Sequence, residues 1–365
     1  MDTEKEKATH LTQQAIPTEL PPLTGWKEIP INENGEPLVP LGPFSENSEV
    51  YTHSIYYGEK SDSPYSSGSL EGSLVTMFVR KEVADQLKLA QSLLPKGMHL
   101  IAFDTYRTLQ VQQSLYDVYI DELKNQHPDW SDEKLSEETQ KFVSIPSTEP
   151  DRPSPHNTGG AVDVAIFKLP DNIEQEIREI DVEISRYGLS DWEKVYQLEM
   201  KRISLIEQNM QVLNFGTSFD YGGSEASLSY YEKLSSQKEL NLDENEAMLN
   251  RRLLYNIMTN VGFEPYEDEW WHFNSKKSQM GAKVADLDHA EYGAKELSQK
   301  NQEHEKMRSG HLKGSQIIYN NQELYKLGVL PANSPFMKAA IAGVDEVGNI
   351  RDTQSPIAEI IKPQK

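Results

Sequence analysis

The stretch SPHNTGGAVDVAI, residues 154–166, decides how the middle of the chain is read. Its second half is β-branched and alternating over residues 161–167, as a half-buried strand should be. Gly159 and Gly160 stand immediately before it and mark a sharp turn into that strand. His156 precedes Asp163 across this turn. An imidazole and a carboxylate presented this way can converge on one cation. A turn closed by a satisfied polar pair is the plainer alternative.

Working outward, KEVADQLKLAQSLLPKG (81–97) places Val83, Leu87, Ala90 and Leu94 at helical spacing and stops at Pro95 and Gly97. MHLIAFD (98–104) follows as a short apolar strand, and Val111, Leu115 and Val118 mark the next amphipathic helix. Asp243 with Glu246 reads as a capping box opening a helix through Leu249, Leu253 and Ile257, closed near Gly262. Between these lies a stretch with two apolar stripes. One runs through Ile173, Ile177, Ile180 and Ile184, and the second, after Gly188, through Trp192, Val195, Ile203, Ile206 and Met210. It reads as a helical hairpin inserted at 171–212, a packing elaboration or, more sharply, a lid over a pocket. Helices and strands alternate without a βαβ rhythm, so the expected class is α+β: a small, mostly antiparallel sheet flanked by helices. Residues 1–40 read as a polar, proline-bearing arm and 294–365 as a polar extension with short helices, leaving 41–293 as the main domain.

The chain has 365 residues, 58 acidic against 36 basic, a formal net charge of −22 and no cysteine. Thiolate metal sites, iron–sulfur clusters and cysteine nucleophiles are thereby excluded, so any metal must rest on His, Asp and Glu. The acidity reads as solubility and disfavours nucleic acid and anionic lipid as partners. Neither a signal peptide nor an 18-residue apolar run is read in the sequence. The expected location is therefore cytoplasmic, or periplasmic or secreted if the amino terminus is processed. Oligomeric state is not legible.

A second chemical segment is EDEWWHF, where Glu269 and His272 bracket two tryptophans. A carboxylate enclosed by bulky aromatics can be tuned into a general base. Together the two segments offer His156, Asp163 and His272 as three ligands with Glu269 left over, the arrangement of a catalytic zinc site with an open position. The other histidines (His10, His53, His99, His127, His289, His304, His311) read as surface or turn residues. No H-E-x-x-H, G-x-S-x-G or Walker-type segment is present.

SPHNTGGAVDVAI resembles the S-x-H-x-x-G-x-A-x-D signature, and EWWH the E-x-W-H signature, of the zinc D-alanyl-D-alanine dipeptidases related to VanX. FDTYRT (103–108), FGTSFD (215–220) and NRRLLYNIMTNVGF (250–263) resemble further segments of that family, and all five stand in family order. The resemblance implies a D,D-peptidase or hedgehog-like domain holding one Zn2+ per chain on His156, Asp163 and His272. It implies Glu269 as the base, Arg107 facing the scissile carbonyl, and Ser154 and Asp220 at the substrate site, with Asp220 taking the dipeptide ammonium. Whether Tyr56, Tyr57 or neither belongs to the pocket stays open. The implied reaction is hydrolysis of D-alanyl-D-alanine or a related small D-amino-acid dipeptide, in cell-wall turnover, D-alanine salvage or glycopeptide tolerance. The alternatives are a D,D- or L,D-carboxypeptidase acting on peptidoglycan stem peptides, and a zinc-stabilised binding protein without chemistry.

Overall fold

The computed structural model describes residues 10–311 apart from 44, 46–48, 55, 58–71, 141–142, 144–145, 148, 220 and 222. In chain order the strands are β1 (Leu38–Pro40), β2 (Tyr51–Thr52), β3 (Phe78–Arg80), β4 (Met98–Asp104), β5 (Ala161–Lys168), β6 (Gln211–Val212), β7 (Phe263–Tyr266) and β8 (Glu269–Ser275). The helices are α1 (Lys81–Leu93), α2 (Leu109–Gln126), α3 (Asp132–Thr139), α4 (Asp171–Tyr187), α5 (Trp192–Asn209), α6 (Tyr230–Ser235), α7 (Leu242–Asn260), α8 (Gln279–Val284) and α9 (Gln299–His311).

The main sheet has six strands in the order β2-β4-β5-β8-β7, with β6 paired to the end of β5, while β1 and β3 form a separate antiparallel pair. Four of the main sheet's five pairings are antiparallel, but the expected small sheet is corrected in two respects: it has six strands, and β2 joins β4 in parallel, Tyr51 opposite Ile101, so the main sheet is mixed. A two-residue strand has no period to read. Its parallel pairing also needs the long excursion through β3 and α1 that carries the chain back to the same end of the sheet. β5 differs too. All of residues 161–167 are buried, because the strand lies between β4 and β8 and is packed on both faces.

One hydrophobic cluster spans this sheet, joining Val83 and Leu87 of α1, Leu253 and Ile257 of α7, and Phe167, Phe263, Trp270 and Phe273 of the strands. α4 and α5 form the helical hairpin, with Ile180, Ile184, Val195 and Leu198 as a small core of their own. Ile177 and Ile206 reach instead into the main cluster. The Trp192 side chain lies outside the described residues. The capping box of α7 sits two residues earlier than expected: Asn241 accepts from the Glu244 N–H, and Glu244 accepts from the Asn241 N–H. Asp243 therefore falls inside the first turn, where its charge favours the helix N-terminus.

The chain ends are tied down over their described parts. Ile16 is buried in the core, and its N–H donates to Glu232 at 3.0 Å. α9 lies against α5 and the strand β1, with the Asn301 side-chain amide donating to the Leu38 carbonyl at 2.8 Å. His99, expected on the surface, is buried in β4 between the rings of Tyr51 and Phe167. Among the described residues no helix is long and apolar enough to cross a membrane.

Candidate metal centre

Strand register brings the chemistry together. Asp163 of β5 lies directly opposite His272 of β8 on one side and Asp104, at the end of β4, on the other. His156 comes from a single 3-10 turn, His156–Thr158, immediately ahead of β5. Gly159 closes that turn at φ +71°, and a Cβ there would meet the Leu38 side chain at 2.3 Å. Only glycine satisfies both the left-handed backbone and the close approach. The turn therefore folds His156 back over its own strand toward Asp163.

His156, Asp163 and His272 each offer a ligand atom, and these atoms all lie within 4.8 Å of one another. The His272 Nδ1 stands 3.0 Å from Asp163 Oδ1 and 3.3 Å from His156 Nε2, which is itself 3.5 Å from Asp163 Oδ2. The outer nitrogens are committed elsewhere. His156 Nδ1 is 2.7 Å from the Thr105 carbonyl, which can only accept, so this nitrogen carries the proton and Nε2 keeps its lone pair. His272 Nε2 faces Asn274 Oδ1 at 3.2 Å, and the Asn274 amide nitrogen is turned to Met280. That leaves the His272 Nδ1 lone pair facing inward. Two imidazole lone pairs and a carboxylate crowded at such distances repel unless a cation sits among them, and the donor set suits a divalent ion of zinc type.

Glu269 opens β8, with a carboxylate oxygen 3.7 Å from His272 Nδ1. The ligand side chains are at most 7 % exposed, whereas 33 % of the Glu269 side chain reaches solvent, so it is the member of the group that an incoming molecule meets first. Lost hydration pushes its carboxyl up to about 7; His272 and Arg107 oppose this and the Asp163 charge adds to it. Asp163 goes the other way. Burial would raise it, but the imidazoles of His156 and His272 beside it hold it below the ordinary carboxylate range.

Arg107 sits beside this group in a clamp of its own. It donates to Asp104 through Nε at 2.9 Å and through Nη2, and to Gln112 through Nη1 at 2.8 Å. Its guanidinium lies 5.1 Å from the centre of the Tyr56 ring. Asp104 also stands 3.3 Å from His156 Nδ1, so one carboxylate links the arginine to the candidate ligand. Burial would lower the guanidinium's affinity for its proton, yet Asp104 more than reverses this and the charge is permanent.

Of the residues singled out in the sequence, His156, Asp163, His272, Glu269 and Arg107 gather here. Ser154 is buried in the turn, its hydroxyl accepting from the Asn157 N–H at 3.4 Å. Asp220 lies outside the described residues. Both tryptophans are core and bind the FGTSFD segment to β8: Trp270 stacks on Phe215 at 4.2 Å, and Trp271 packs on Phe219. Sequence reading missed Asp104, Gln112, Asn274 and the Thr105 carbonyl, and left Tyr56 open. Asn274 had one signal, standing two residues beyond His272 on the same strand and hence on the same face.

Residues 199–291 match the family model described as D-ala-D-ala dipeptidase, a span that contains Glu269 and His272. The chain is also 26 % identical over 267 residues to a D-alanyl-D-alanine dipeptidase of Synechocystis sp., an alignment covering 69 % of this chain and 87 % of that protein. Both similarities are to peptidases, and the second takes in most of the dipeptidase's length. With five motifs in family order, the chain is similar to D-alanyl-D-alanine dipeptidases over most of the matched protein's length.

Proposed function

We propose that the chain is a zinc-dependent dipeptidase that hydrolyses D-alanyl-D-alanine or a related small D-amino-acid dipeptide, with residues 41–293 as its catalytic domain. The observation that carries this reading is the convergence of His156, Asp163 and His272 with Glu269 beside them and more open to solvent. A zinc ion bound there supplies Lewis acidity toward the peptide carbonyl and lowers the pKa of a nearby water toward neutrality. Glu269 takes the proton from the attacking water and returns it to the leaving amine. Arg107 offers a fixed, permanently charged donor to the carbonyl oxygen as negative charge develops on it. Asp104 and Gln112 hold the guanidinium so that it need not reorganise. Ser154 and Asp220 belong to the substrate site in this reading, Asp220 pairing with the dipeptide ammonium.

Zinc analysis combined with a two-substrate assay tests the proposal. The zinc-replete protein should release alanine from D-alanyl-D-alanine and much more slowly from a pentapeptide ending in the same pair. Faster release from the pentapeptide would instead mark a carboxypeptidase. Stoichiometric zinc with no hydrolysis of either peptide would sink the enzymatic reading.

A further inference from the structure

Three side chains on the inner face of α9, Asn301, Glu305 and Arg308, are each at most 8 % exposed. Two of them grip one short segment. The Glu305 carboxylate accepts from the N–H groups of Val75 at 2.6 Å and Thr76 at 3.0 Å. Arg308 donates through Nη1 to the Val75 carbonyl at 2.9 Å and to the Thr76 hydroxyl at 3.1 Å, and through Nε to Glu199 of α5 at 2.9 Å. The Tyr57 hydroxyl adds a bond to the Ser309 carbonyl.

The gripped segment is one wall of the crevice beside Arg107. Leu74, Thr76 and Met77 line that crevice with Tyr56, Asp104 and Arg107. The next residues along are bonded to the Arg107 loop itself: the Thr105 hydroxyl donates to Met77 Sδ at 3.3 Å, and the Tyr106 N–H donates to the Phe78 carbonyl at 2.9 Å. So α9 and the hairpin meet on the wall of a small crevice, of about 20 Å³, whose other side is formed by Asp104 and Arg107. Without Glu305 two buried N–H groups lose their acceptor, and the wall can relieve this only by moving.

We propose that Glu305 and Arg308 are positioning residues, through which α9 holds the 74–77 wall of the crevice beside Arg107 and with it that edge of the proposed substrate site. Arg107 keeps its separate clamp on Asp104 and Gln112, Asp163 and His272 are held by strand register and His156 by its own turn, so loosening the wall alters substrate fit more than chemistry.

The kinetic part rests on the dipeptidase reading and the structural part does not, so the full-length protein is tested both ways. Glu305→Ala and Arg308→Ala should each raise KM for D-alanyl-D-alanine about tenfold while kcat changes by less than about threefold and zinc content is unchanged. Glu305→Gln, which keeps one acceptor, should fall between. Lys306→Ala, on the exposed side of the same helix, should match the parent. In Glu305→Ala the amides of Val75 and Thr76 should also exchange with solvent faster. A fall in kcat at constant KM, the sign of a smaller folded fraction, or unchanged KM with unchanged exchange, overturns the proposal. If the parent cleaves no D-amino-acid dipeptide, the dipeptidase reading fails. Exchange then decides alone: faster exchange at 74–77 supports the brace, and a change confined to α9 sinks it. Should Glu305→Ala not fold, Glu305→Gln is measured by the same criteria.

Discussion

A neutral imidazole must commit one nitrogen to a proton, and at this centre Thr105 and Asn274 make the choice for His156 and His272. Asn274 is fully buried, so replacing it with leucine fills its volume but strands the His272 Nε2–H without an acceptor. Asn274→Leu is expected to weaken zinc binding by about 10- to 100-fold, read by competition against a chelator, with the fold intact by circular dichroism. Unchanged affinity would show that register alone orients His272. The ligands and the base part company in a second comparison. His156→Ala should lose zinc outright, whereas Glu269→Ala should keep it and lose turnover by about 10³-fold, because only the proton transfer is removed. Near-normal hydrolysis by Glu269→Ala would falsify the assigned mechanism. At this scale the sequence points to the residues that the structure brings together and hides what holds them. His156, Asp163, His272 and Glu269 are legible because the proposed chemistry calls for those donor types at that spacing. The Thr105 carbonyl is invisible, since any residue would supply one, and Gln112 matters only because the first turn of α2 faces Arg107.

Elements were legible in proportion to their length and period. MHLIAFD and the α4–α5 hairpin can be read from the sequence because several residues repeat one pattern, whereas the two residues of β2 have no period and their parallel pairing is set by distant packing. The burial of β5 on both faces is hidden for a similar reason: alternation of small and branched residues looks the same whether one face or two are covered. The α7 cap illustrates a near miss. Two overlapping acidic patterns compete in NLDENE, and Asn241 with Glu244 wins because both reciprocal bonds form there. Asn241→Ala should therefore destabilise the protein by about 1 kcal/mol, visible as a lower thermal midpoint, with kcat and KM unchanged. The same substitution at Asp243 should do less, since it removes only a charge near the helix N-terminus. Equal losses at the two positions would put the cap back where the sequence first suggested it.

For the whole molecule the question is how far the fold depends on the proposed metal. A small zinc domain has too little core to fold without the ion, but here one hydrophobic cluster runs from α1 through the sheet to α7 and β8 independently of the ligands. The folded state should thus survive chelation. Yet the ligand atoms are already gathered within 4.8 Å and almost fully buried, so the metal-free protein keeps lone pairs and a carboxylate crowded without their counter-charge. Under the proposed function, zinc binding needs no large rearrangement and favours the native state over an unfolded chain in which the three residues are far apart. With free zinc at about a thousand times its dissociation constant, the linkage is worth about 4 kcal/mol, or on the order of 5–10 °C in Tm. The absence of cysteine, with a net charge of −22, means that this gain comes through nitrogen and oxygen donors on an acidic molecule and is not sensitive to oxidation of the ligands. Calorimetry with zinc and with chelator should therefore give two folded transitions separated by that interval, collapsing to one in His156→Ala. A parent protein that unfolds completely on chelation would make the metal structural, and one whose midpoint ignores zinc would mean that these residues do not hold it.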